Sequence, residues 1–202
     1  SFADWQNYPS TLDPIHVSWL KNAKKSKTSF AVADIEGVEI SHKRFLTGVL
    51  LFSKKIAEYS PEQNVGLLLP SSGGGAIASI AILALGKTIV NLNFTAGKKA
   101  LGSAAKLAEL KHIYTSRKFL DKMLERGIDL ESFFPNCKLL MLEDIREEIS
   151  SISRIGTLLK ATLLPASVIR KRYFKEVSMS DTAAILFSSG SEGSPKGVEL
   201  SH

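Results

Sequence analysis

The apolar residues of this 202-residue chain change rhythm along its length. From residue 65 onward, short apolar runs predict buried strands: VGLLL (65–69), TIVNLN (88–93), HIYTS (112–116) and KLLML (138–142). Between them lie the glycine-led stretch 73–86, GKKALGSAAKLAEL (97–110) and RKFLDKMLERG (117–127), closed by Gly127, which predict helices. Strand and helix in turn, across short connections, predict an α/β fold with a parallel-rich sheet flanked by helices on both faces.

Ahead of this region, LDPIHVSWLKNAKK predicts a helix with Asp13 as N-cap and Pro14 at the first helical position. SFAVAD (29–34) and VEI (38–40) flank Glu36 and Gly37 and predict a short hairpin. Ser41 then caps HKRFLTGVLLFSKKIAEY, in which Phe45, Val49, Phe52 and Ile56 share one helical face, and Pro61 ends the helix. Near the end of the chain, TAAIL (182–186) and GVEL (197–200) predict two more strands.

Residues 150–175 break the alternation. SSISRIGTLLKATLLPASVIRKRYFK is an irregular, basic, amphipathic segment with Pro165 in its middle and Arg170, Lys171, Arg172 and Lys175 around Tyr173 and Phe174. Such a segment suits an anionic membrane surface. It equally suits a helix that packs its apolar side on the domain and leaves its cations in water, which is the expectation favoured here.

Composition narrows the class. With 44% hydrophobic and 23% charged residues the chain reads as ordinary soluble globular protein, one large domain or two small ones. A net charge of +6 and a pI near 9.4 point toward acidic partners, although a lysine surplus also simply solvates a surface. No pattern suggests nucleic acid. Cys137 is the only cysteine, so no internal disulfide forms, and without an activating neighbour it reads as a small core residue. The polar, aromatic start SFADWQNYPSTLDP is not a secretory signal, and the longest apolar run, AIASIAILAL (76–85), is well short of the ~20 residues that cross a bilayer.

The candidate chemistry lies in FSSGSEGSPKG (187–197). Gly190 and Gly193 let backbone amides approach a ligand, Ser188, Ser189 and Ser191 add hydroxyl donors, and Lys196 adds a positive charge. Together they make an anion cradle suited to a polyphosphate, while a flexible surface turn remains an open alternative. A Walker loop is excluded by spacing, since Pro195 and Val198, five residues after Gly190 and Gly193, stand where its second glycine would fall, and no G-x-S-x-G elbow surrounds Ser189 or Ser191. Gly73, Gly75 and Ala78 fit G-x-G-x-x-A, but no acid follows until Glu109, so a close strand-to-helix turn is the better account. The acidic pairs Asp34 with Glu36 and Glu143 with Asp144 lack histidine or cysteine at ligand spacing, so no metal site is expected.

Ser188 to Val198 match [Ser/Thr]-Ser-Gly-[Ser/Thr]-x-Gly-x-Pro-Lys-Gly-Val at every defined position, and this stretch resembles the phosphate loop of the adenylate-forming superfamily. Ser201 and His202 resemble the Ser-His or Thr-His pair that often follows that loop. Residues 65–97 and 112–122 look like acyl-acyl carrier protein synthetases. The NLNFTAG, TSRKFL and SGSEG stretches are most similar to the synthetase half of bifunctional 2-acylglycerophosphoethanolamine acyltransferases, bacterial inner-membrane proteins that re-acylate lysophospholipid.

The resemblance implies an ATP- and Mg2+-dependent, AMP-forming ligation of a fatty acid to the thiol of an acyl carrier protein. Ser188, Ser189, Gly190, Ser191, Gly193 and Lys196 would hold the phosphates, and no catalytic residue falls within the chain. It further implies that residues 1–202 are an incomplete N-terminal subdomain of an AMP-binding domain, inactive alone, with the adenine motif, the ribose-binding Asp, the hinge and a catalytic Lys beyond His202. The parent would lie on the cytoplasmic face of the inner membrane, meeting lysophospholipid through an acyltransferase half. No histidine here has an Asp five positions later, the His-x-x-x-x-Asp signature of that half. The reading that competes with a ligase is a non-catalytic module binding anionic lipid or an acidic protein through its basic segment.

Overall fold

The structure is a computed structural model that describes residues 12–26, 30–33, 39–189 and 195–202. Helix α1 (Ile15–Lys25) begins one residue later than the sequence predicts. Pro14 is its N-cap, and its carbonyl accepts from the amides of Val17 and Ser18. Asp13 lies outside the cap and binds the Lys21 ammonium instead. The predicted hairpin is present as β1 (Phe30–Ala33) antiparallel to β2 (Glu39–Ser41), while its turn residues Glu36 and Gly37 lie outside the described residues. The Ser41 hydroxyl accepts from the Arg44 amide and starts α2 (His42–Tyr59), which buries Phe45, Val49 and Ile56 on one face.

The alternating region folds as β3 (Asn64–Leu67), α3 (Gly73–Ala84), β4 (Thr88–Asn91), α4 (Lys98–Leu107), β5 (His112–Thr115), α5 (Arg117–Leu124) and β6 (Lys138–Met141). Leu142 leaves the predicted last strand and opens the short α6 (Leu142–Glu147). With β7 (Thr182–Ser189) and β8 (Pro195–Ser201), the strands form one sheet in the order β6-β5-β3-β4-β7-β8. All its pairings are parallel except β7 with β8. The expected parallel-rich α/β architecture is therefore what the chain adopts.

The two sheet faces carry separate cores. One gathers α1, α2 and α3 around Leu46, Val49, Ile56, Ala81 and Ile82; the other gathers α4 and α5 around Leu68, Leu101, Ile113 and Leu120. A strand pressed from both sides cannot alternate polar and apolar residues, which is why these strands read as continuous apolar runs. The path from β3 to β4 runs one way across the sheet and the path from β4 to β5 returns past β3. The connections leaving the adjacent strands β3 and β5 thus run in opposite directions, which puts the topological switch point of the sheet between their carboxyl ends.

Residues 150–175 are not irregular. They form α7 (Ser151–Leu163) and α8 (Ala166–Tyr173), separated at Leu164 and Pro165 because proline removes the amide a continuing helix would need. The expectation that the apolar side packs inward fails for α7. Among its residues only Ala161 is buried, while Ile152, Ile155, Leu159 and Leu163 are exposed. Among the described residues no helix is long and apolar enough to cross a membrane.

Candidate functional site

The serine–glycine loop closes a hairpin longer than the sequence predicts. The β7–β8 ladder continues through Leu186↔Val198 and Phe187↔Gly197 to Ser188↔Lys196 and Ser189↔Pro195, leaving residues 190–194 to connect the strands. Ser188, Ser189 and Lys196 therefore stand on strands and not in the loop. Backbone is described for Ser189, and Gly190, Ser191, Glu192 and Gly193 lie outside the described residues. The parallel partner β4 accompanies β7 only as far as Asn91↔Leu186. Three residues of β7 thus run on beyond it as a two-stranded ribbon, about 10 Å past the sheet.

Residues directly opposed on antiparallel strands project to the same side. Ser188 and Lys196, both exposed, thus present a hydroxyl and an ammonium on one face of the ribbon. No carboxylate of the described residues pairs with Lys196. The ribbon is seated by Phe187, whose ring lies across Gly197: a methyl group there would stand 3.2 Å from Phe187 Cε1 and 3.5 Å from Ile185 Cγ2. A side chain at the glycine of Lys-Gly-Val would thus have to push the Phe187 ring aside by a few tenths of an ångström.

Two cavities open at this end of the sheet. One of about 440 Å³ lies beyond the carboxyl ends of β3 and β4, between Leu67, Pro70, Ser71, Ser72, Gly75 and Asn91. The other, of about 260 Å³, lies between the loop after β4, helix α4 and the ribbon, and Asn91, Leu92, Ala100, Leu101, Phe187 and Ser188 line it. Asn91, at the carboxyl end of β4, belongs to both. Sequence reasoning passed it over as a strand residue; the signal was its polar interruption of the run TIVNLN. Ser188 lines the smaller cavity, and an ammonium on the rung opposite it adds the charge that a polyphosphate would need.

The other candidates are used structurally. Gly73 and Gly75 form the first turn of α3, where the Gly75 amide donates to the Ser72 hydroxyl at 3.2 Å. Glu143 takes the Ser116 hydroxyl at 2.7 Å and the Arg117 amide at 3.1 Å. Partial burial would raise its pKa, but these donors and the Lys118 amide hold it below the usual carboxylate range. Asp144 binds Arg117 Nη2 through both oxygens, at 2.6 and 2.8 Å. The described residues hold no group of three or more His, Cys, Asp or Glu placed to take a metal, and Asp34 and Glu36 lie outside them. Burial pushes the Cys137 thiol up, and its Sγ donates to the Leu110 carbonyl at 3.2 Å. Ser201 ends β8, and the His202 ring stands 5.3 Å from the ring of fully buried His16. Burial first, and the His202 ring second, push His16 down to about 4.

Residues 20–202 match the model of a protein family described as AMP-binding enzyme. The chain belongs to the AMP-binding enzyme family. Similar relatives include the nonribosomal peptide synthetase vlms of a Lecanicillium species, 25% identical over 142 residues, which are 70% of this chain and 1% of that protein. Long-chain-fatty-acid–CoA ligase 1 of Homo sapiens is 26% identical over 148 residues, 71% of this chain and 21% of that ligase. The chain thus spans about a fifth or less of the curated relatives it matches. Among solved structures, the nonribosomal peptide synthetase FmoA3, crystallised with α-methyl-L-serine-AMP, superposes with a TM-score of 0.70 at 16% identity, covering 96% of this chain and 19% of that one. The fold is that of the amino-terminal part of adenylate-forming enzymes, which use ATP.

Proposed function

We propose that the chain is the amino-terminal part of the adenylating domain of an AMP-forming fatty acyl ligase. The register that sets Ser188 opposite Lys196 beside the sheet's carboxyl end carries this reading. Family membership, the human fatty acid ligase among the relatives and the complete loop motif support it. In the proposed reaction a fatty acid carboxylate attacks the α-phosphorus of ATP and pyrophosphate leaves. Ser188, Ser189, Gly190, Ser191, Gly193 and Lys196 hold the β- and γ-phosphates in line, so that the bond-breaking charge grows against fixed donors and one ammonium. Mg2+ would supply further charge neutralisation, and the described residues offer no carboxylate cluster to hold it. The activated acyl group then passes to the thiol of an acyl carrier protein, and a partner acyltransferase domain delivers it to lysophospholipid.

The intact enzyme should exchange labelled pyrophosphate into ATP when given a long-chain fatty acid and transfer the acyl group to carrier protein in preference to coenzyme A. Exchange driven by an amino acid and not by a fatty acid overturns the substrate class, and transfer to coenzyme A alone overturns the carrier.

A further inference from the structure

Helix α7 turns its large aliphatic side chains away from the protein. Ile152, Ile155, Leu159 and Leu163 are 84%, 60%, 54% and 74% exposed. Their spacing of three, four and four places them in one row along the helix. The opposite side, marked by buried Ala161, faces the core that α2 shares. Thirteen residues make a row about 20 Å long. Scattered exposed aliphatics need no explanation, but an unbroken row marks a surface that something apolar covers.

Charge says what covers it. Residues 150–175 hold Arg154, Lys160, Arg170, Lys171, Arg172 and Lys175, all exposed, and no Asp or Glu. The chain carries 26 Lys and Arg against 20 Asp and Glu, so outside this segment the two signs balance and the whole net charge of +6 resides in it. A second copy of the same face would bring cations against cations, whereas an anionic bilayer offers apolar chains to the row and headgroup phosphates to the cations. We propose that α7 lies in the plane of an anionic lipid surface, with the four aliphatics at the acyl boundary and Lys160 and the cations of α8 on the headgroups. This does not depend on the ligase chemistry, and the test contains no nucleotide.

The intact protein is mixed with phosphatidylcholine vesicles, with and without a quarter phosphatidylglycerol, and sedimented. Binding is expected to the anionic vesicles, weakened about tenfold or more by Ile155→Ser with Leu159→Ser. Arg170→Gln, Lys171→Gln and Arg172→Gln together should weaken it about a hundredfold, since each cation near such a surface contributes about fivefold. These positions are exposed, so thermal melts of the variants should overlay the parent. An environment-sensitive dye on Leu159→Cys, in a Cys137→Ser background, should shift blue only with anionic vesicles. A dye already blue without lipid means that another part of the protein or a second copy covers the row, and this overturns the proposal. So does a dye that never shifts, or vesicle binding that the serine variants leave unchanged.

Discussion

Replacing Lys196 by Ala tests the hairpin more directly than any other change. Lys196 stands on β8 with its side chain exposed, opposite Ser188 and paired with no carboxylate of the described residues. Truncation should therefore change folding stability by less than about 0.5 kcal/mol. On the proposed assignment the loss toward a departing pyrophosphate is larger, because the charge would act where negative charge develops; removing one such preorganised donor costs about 100- to 1000-fold in turnover. Ser188→Ala removes one neutral donor and should cost about tenfold. The two residues stand on directly opposed rungs, so on the proposed assignment they share one ligand and the double variant should lose less than the product of the two single effects. The assay is fatty-acid-dependent pyrophosphate exchange by the intact enzyme, with a thermal melt of each variant alongside. Parental turnover in Lys196→Ala would refute the assignment, as would a loss that merely tracks a lowered melting temperature.

Gly66 lies in β3 between β4 and β5, and a methyl group there would stand 2.8 Å from Ile113 Cγ1 and 3.2 Å from the His112 carbonyl oxygen. Gly66→Ala should cost about 1–3 kcal/mol in urea unfolding, and an unchanged midpoint would contradict the packing. Glu109 closes α4 with φ 52°, the Leu110 amide reaching the Ala105 carbonyl at 2.9 Å. Gly86 and Gly127 close α3 and α5 in the same left-handed region, and Glu109→Gly should gain about 1 kcal/mol in the same urea unfolding, a lowered midpoint contradicting the strain. His16 has its folded pKa lowered from 6.5 to about 4, so the fold prefers the neutral ring. Its contribution is complete above pH 6.5 and is lost as pH falls from there toward 4; His16→Leu should flatten the urea midpoint between pH 7 and 5, and an unchanged slope would sink that account.

The α/β architecture was legible because burial on both faces leaves a mark that needs no partner information: four apolar runs separated by helical periods. Ser41 and Gly127 announced their helix ends for the same local reason. Asp13 misled, since an acid before a proline satisfies the cap pattern, whereas here its carboxylate turns to Lys21. Residues 151–163 misled more instructively. Periodicity shows that a helix has an apolar face, but not whether the domain has room for it; with α2 already meeting the side that carries Ala161, the larger aliphatics were left outside.

The candidate site was half legible, and the missing half is geometric. Motif matching proposes the residues, but Ser, Gly and Pro predict loop wherever they occur, so the reading ended β7 at Leu186 and began β8 at Gly197. Pairing overrode those preferences: once Phe187 covers Gly197, the ladder can run two rungs further, to Ser189↔Pro195. That extension changes what the motif can do. In a free loop, Ser188 and Lys196 would have to be brought together by the ligand at an entropic cost, whereas on facing rungs they stand on one side of the ribbon before it arrives. Preorganisation of the charge and hydroxyl thus rests on the strand pairing that the local sequence disfavours.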